Sequence, residues 1–119
     1  MVRTITFYRT DRDGCPVEDF LDSLDSKPAQ KVAWVLKLIE ELDIVPKQYF
    51  QKLPGTDDIW ECRIQMGPMI YRILAFFDNG NLILTHGFIK KTQKTPRTEI
   101  EKVERYQADY RAQKGGKQA

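Results

Sequence analysis

The chain has 119 residues, of which 41% are hydrophobic and 30% charged, enough for one modest core and too few for two. That balance excludes a disordered chain and a membrane protein. The formal net charge of +2 conceals an uneven split: residues 1–85 carry 10 Lys and Arg against 13 Asp and Glu, and residues 86–119 carry 9 against 4. A basic C-terminal third fits either a polyanionic partner or a solvated helix face and tail.

The opening Met1 to Phe7 reads as a strand leading into a polar turn over Thr10 to Gly14, without the long apolar stretch of a signal peptide. No run reaches the roughly 18–20 apolar residues of a membrane span. Cys15 and Cys62 lack metal-ligand spacing, so a reduced cytoplasmic setting is expected, with no membrane association. Val17, Phe20, Leu21 and Leu24 fall at helical spacing and predict a short amphipathic helix. Ser26 offers an N-cap ahead of Pro28, and the stripe Ala29, Val32, Ala33, Leu36, Ile39, Leu42 predicts a longer helix over about 28–43. Together these form a helical hairpin whose apolar faces need a sheet.

Pro46 and Pro54-Gly55 mark the following segment as loop, with Tyr49, Phe50 and Leu53 tucked against the core. From Ile59 to Met66 the period becomes two: Trp60, Cys62, Ile64 and Met66 share one strand face, Glu61, Arg63 and Gln65 the other. Gly67-Pro68 makes a turn, and Met69 to Phe77 is an apolar run broken only by Arg72. Asp78-Asn79-Gly80-Asn81 is a hairpin signal, because Asn-Gly tolerates the positive φ angles of a type I′ turn. Leu82 to Ile89 returns as the third strand of a meander. Thr95 as N-cap, Pro96 at the first helical position, and Ile100, Val103 and Tyr106 predict a last helix, with a disordered tail from Gln113. Strand, two helices, three-stranded antiparallel meander and helix make a small α+β fold, a single domain over residues 1–112.

A guanidinium inside an apolar strand is costly unless it is paired or faces a ligand, so Arg72 needs a partner: an ion pair with Glu61 or Asp78, or a bound anion. Hairpin pairing brings Arg63 beside it. Two arginines so placed repel unless a phosphate or a carboxylate, Glu61 being the nearest in sequence, lies between them. The segment from His86 to Pro96 gathers Lys90, Lys91 and Lys94 where a strand ends and a helix begins, an arrangement suited to anions or simply to solubility. His86 is the only histidine; it is either the acid-base group or a structural residue.

The blocks Lys52-Leu53-Pro54-Gly55, Trp60-Glu61-Cys62-Arg63-Ile64, Tyr71-Arg72-Ile73, the run His86-Gly87-Phe88-Ile89-Lys90-Lys91-Thr92, Lys94-Thr95-Pro96 and Glu99-Ile100 resemble the RelE/HigB toxins, particularly their phage-derived HigB-like group. The likeness covers about residues 4–110, and its most specific part is the run from His86 to Pro96. It implies the RelE-like fold and the toxin of a type II toxin–antitoxin system, an endoribonuclease that enters the ribosomal A site and cuts mRNA until an antitoxin, commonly a helix-turn-helix protein, silences it. Matching positions gives Arg63, Arg72 and Lys91 the basic roles. The chain departs from RelE at Glu61, where RelE has lysine, and at Lys91, where it has arginine.

The reaction so implied is attack of a ribose 2′-OH on the adjacent phosphate, with protein cations stabilising the added charge and no metal or cofactor required. Arg63 and Arg72 hold phosphate oxygens on this reading. Lys52, Lys90, Lys94 and Arg97 grip RNA, and Glu61, His86 and Tyr71 are the candidates for proton transfer. Its physical premise is an exposed cationic patch on the sheet with no acid close enough to cancel it. The alternatives are a ParE-like poison of DNA gyrase and an inactive prophage-derived binding module of the same fold.

Overall fold

A computed structural model describes residues 2–90 and 94–118. The elements follow in the order β1 (Thr4–Phe7), α1 (Pro16–Asp22), α2 (Ser26–Glu41), β2 (Phe50–Lys52), β3 (Ile59–Met66), β4 (Met69–Asp78), β5 (Asn81–Lys90) and α3 (Arg97–Gln118). One five-stranded sheet carries the order β1-β5-β4-β3-β2, with β1 parallel to β5 and every other pair antiparallel. The expected meander is its centre, and the small α+β class holds.

The strands form where β-branched and aromatic residues run together, and the central ones are covered on both faces. On one face α1 and α2 pack Val17, Val32, Val35 and Ile39 onto Cys62, Ile64, Ile73, Ala75, Leu82 and Leu84. On the other, α3 sets Val103, Ile100, Tyr106 and Tyr110 against Tyr8, Leu53, Ile59, Leu74, Phe76 and Ile83. The molecule is thus a three-layer helix, sheet, helix stack. The β4–β5 hairpin turns through Asn79 and Gly80 at φ 50° and 83°, the left-handed pair that a two-residue turn requires.

Four features depart from the sequence reading. Residues 50–52, expected in a loop, pair with β3 as a short edge strand, Gln51 opposite Glu61. Helix α2 begins at Ser26 with Asp25 as its N-cap, so Ser26 is inside the helix. Thr95 turns its hydroxyl inward instead of capping α3. Helix α3 continues to Gln118, past the point where a disordered tail was expected, and Gln113 donates to the Arg9 carbonyl and to Asp109 at 3.1 and 2.6 Å.

The last turn of α2 is closed from a distance. Arg3, just ahead of β1, donates to the carbonyls of Ile39, Leu42 and Asp43 at 2.9, 2.6 and 2.7 Å. A cation on the orphan carbonyls of a helix C-terminus satisfies both their hydrogen bonding and the helix dipole.

Candidate functional site

The β3–β4 hairpin sets Arg63 directly opposite Arg72 and Glu61 opposite Leu74, all on the face that α3 covers. Like charges directly across a strand pair destabilise a sheet, so the register demands a counter-charge. Glu61 supplies it: one carboxylate oxygen lies 3.3 Å from Arg63 Nε and the other 3.6 Å from Arg72 Nη1. Thr95 completes the group, its hydroxyl donating to Glu61 and accepting from Arg72 Nη1 at 3.0 Å. The Glu61 and Arg72 side chains are 1% and 0% exposed, whereas Arg63 keeps 17%. Burial pulls the Arg72 guanidinium below its ordinary pKa; the Glu61 carboxylate opposes that shift and neighbouring Arg63 adds to it.

This geometry overturns the premise of an exposed cationic patch with no acid nearby. The two guanidiniums do converge, yet they converge on a buried carboxylate, which was the alternative pairing open to Arg72. Asp78 is not involved: it accepts from Tyr110 at 2.7 Å and pairs with Lys114 at 2.5 Å. The group of Glu61, Arg63 and Arg72 still sums to a formal charge of plus one. Arg63 is its solvent-facing member.

His86 reaches the same face through a bulge. The β4–β5 register shifts between Leu74 and Ala75, so that His86 sits opposite Leu74 whereas Leu84 sits opposite Ala75. One extra residue, Thr85, turns the imidazole away from the α1–α2 side. Thr85 donates its hydroxyl to the Leu74 carbonyl at 2.9 Å. Both ring nitrogens of His86 are engaged inside the fold, Nδ1 3.1 Å from Thr85 Oγ1 and Nε2 3.0 Å from Glu99 Oε1 of α3. Burial lowers the imidazole pKa against the opposing pull of Glu99. In this arrangement His86 staples the sheet to α3 with both ring nitrogens engaged, as the structural alternative for it requires.

The remaining candidates divide. Lys90 stands opposite Ile70, at a register position on the Arg72 face, and is exposed. Lys94 lines a small cleft beside Glu61. Arg97, 91% exposed, pairs with Glu101 along the outside of α3 and joins no cluster. Tyr71 packs against the α1–α2 core on the opposite face, away from the arginines. Lys52 pairs with Trp60 and lines a separate cleft with Trp60 and Phe77, so it too leaves the group. Lys91 lies outside the described residues. Among the described residues no cluster of His, Cys, Asp and Glu has the makings of a metal site, and no helix is long and apolar enough to cross a membrane.

Sequence reasoning missed Thr95 and Glu99 as site residues. Both precede or open a helix, where Thr and Glu ordinarily serve the helix itself. The available signal was the two facing arginines, Arg63 and Arg72, with Glu61 the acid nearest to them in the sequence.

The model of the family described as "Phage derived protein Gp49-like (DUF891)" matches residues 19–107, which include Glu61, Arg63, Arg72, His86, Thr95 and Glu99. No curated protein matches the chain.

Proposed function

The chain belongs to the phage-derived Gp49-like family, and on that premise we propose that it is the toxin of a type II toxin–antitoxin system, a metal-independent endoribonuclease acting on mRNA at the ribosome. The observation that carries this reading is the net-positive Glu61, Arg63 and Arg72 group on one sheet face, with Arg63 its least buried member and Lys90 and Lys94 exposed. Arg63 contacts the scissile phosphate. Arg72, fully buried, holds Glu61 and through it the Arg63 side chain, which makes Arg72 a positioning residue and not a phosphate ligand. The nucleophile is the substrate's own 2′-OH, so the protein's work is orientation and charge stabilisation. A cognate antitoxin, commonly of helix-turn-helix type in such systems, keeps the activity silent in the cytoplasm.

The test is induction of the chain alone, with mRNA 5′ ends mapped while translation runs and while initiation is blocked. Cuts that disappear with initiation support ribosome dependence. Arg63→Ala is expected to lower cleavage by about a hundredfold or more, the usual cost of one transition-state donor. An Arg63→Ala protein that retains its proper melting temperature and cuts like the parent refutes the site.

A second reading has its own support. Arg72 is spent on a buried ion pair and His86 on an internal staple, as suits a member of the fold that injures without cutting RNA, whether by poisoning DNA gyrase or by binding alone. Intact mRNA together with broken DNA, or with no growth arrest, decides for it.

A further inference from the structure

A cleft of about 520 Å³ opens on the sheet face opposite the arginines, past the end of α2. Its floor is aromatic. Trp60 of β3 stacks on Phe50 of β2 with ring centres 4.8 Å apart, and Phe77 of β4 stands across Trp60 at 84°, centres 5.5 Å apart. Trp60 and Phe77 are only partly buried where they line the cleft. The loop after α2 supplies another wall, on which Ile44 is 86% exposed, an aliphatic side chain that the fold leaves uncovered. Two rings near a right angle form a corner that takes the face and the edge of a third ring, the offset and edge-to-face arrangements that aromatic pairs prefer. The indole N–H is already committed, donating to Asp58 at 3.0 Å. Trp60 therefore offers π surface without a donor, which suits any flat ring and reads no particular base edge.

The rim is cationic. Among the described residues that line the cleft, Arg3, Lys47 and Lys52 meet a single acid, Asp43. Arg3 is held by the carbonyls at the end of α2, so it contributes field more than contact. Lys47 and Lys52 are exposed, on flexible stems that can follow a phosphate. Lys52 stands in register with Trp60 across β2–β3, which sets its side chain on the same face beside the indole. Aromatic surface flanked by such ammonium groups is the combination that holds single-stranded nucleic acid, bases on the rings and backbone on the cations. A double helix, whose bases are stacked on one another, cannot use the floor.

We propose that this cleft is a stacking site for single-stranded RNA, one base lying in the corner of Trp60 and Phe77 and the neighbouring phosphates on Lys47 and Lys52. Trp60 is three residues along β3 from Arg63, about 10 Å, and on the other face, so a strand leaving Arg63 reaches the cleft by rounding the short edge strand β2. The inference rests on the ribonuclease reading only for the identity of that strand as the mRNA being cut; the stacking chemistry stands without it.

The test uses the Trp34→Phe protein, in which Trp60 is the one indole; Trp34 is 50% exposed and the replacement keeps a ring against Tyr49. An oligouridylate of about eight nucleotides, within the span of ordinary single-strand sites, should quench the emission of Trp60 as it binds. With an end-labelled strand followed by anisotropy, Trp60→Leu should weaken binding at least about fivefold, the lower end of the cost of one lost base stack, and Trp60→Phe should keep most of it. Lys47→Ala and Lys52→Ala, at exposed positions where the fold is indifferent to the change, should each lower the slope of log affinity against log salt by about 0.7. No binding of the strand, binding that leaves Trp60 emission unchanged, a salt slope untouched by both lysine variants, or a duplex or uridine monophosphate that binds as tightly as the strand overturns the proposal. Quenching by the strand in a chain that cuts no mRNA on induction keeps the stacking site and loses the nuclease, whereas cutting by a chain whose Trp60 ignores the strand does the reverse.

Discussion

Replacing Glu61 by Gln preserves the shape of the buried group and removes its only negative charge, leaving Arg63 and Arg72 opposite each other on adjacent strands. At the 3.6 Å separation of Glu61 and Arg72, an effective dielectric of about 20 gives an attraction of about 4–5 kcal/mol. Removing one partner of a buried pair costs a similar amount, about 3–5 kcal/mol, because the remaining charge is left buried. Arg63 adds less, since its side chain is less buried than that of Arg72. For 119 residues an unfolding entropy of about 2.1 cal/mol/K per residue converts each kcal/mol into about 4 °C, so Glu61→Gln should lower the melting temperature by about 12–20 °C. Thermal unfolding followed by circular dichroism reads this directly. The double variant Glu61→Gln, Arg72→Met should recover most of the loss, because an apolar side chain of similar length removes the stranded cation. A single variant that melts within about 4 °C of the parent, or a double variant that melts lower than the single, would refute the account of Arg72 as the buried partner of Glu61.

Three further outcomes follow from the packing. A Cβ on Gly87 would sit 2.2 Å from the Phe20 ring, so Gly87→Ala should cost about 1–3 kcal/mol in denaturant unfolding, and Phe20→Leu should restore part of it. Arg3→Ala leaves the three carbonyls at the end of α2 to water and should cost about 1 kcal/mol, with faster amide exchange confined to the last turn of that helix. The His86 imidazole has its pKa lowered from 6.5, so the unfolded chain takes up its proton first as pH falls; the stability His86 contributes is complete above about pH 6.5 and is lost as pH drops through the lower folded value. His86→Gln should flatten that part of the profile of stability against pH.

Much of the sheet was legible because its cause is local. Alternation in β3, the apolar run of β4 broken only by Arg72, and the Asn79-Gly80 turn each fix a strand or a register without reference to anything distant, and the Arg63–Arg72 pairing follows from the position of Gly67-Pro68 alone. Edge strand β2 escaped because three residues carry too little period to be told from a loop, and only pairing with β3 makes them a strand. The facing of His86 escaped for a sharper reason: a one-residue bulge at Thr85 reverses every side chain after it, and no pattern in the residues themselves announces the bulge.

Residue order by itself determined which cations would meet on the sheet and that they would require a counter-charge. What only the tertiary structure decided is the identity and depth of that counter-charge: Glu61 sealed by Thr95, and His86 tied to Glu99 across layers that are 13 residues apart in the chain. The physical reason is that burial and hydrogen-bond partnership belong to packed layers. Whether a guanidinium faces water or a carboxylate depends on where a helix from the far end of the chain comes to rest.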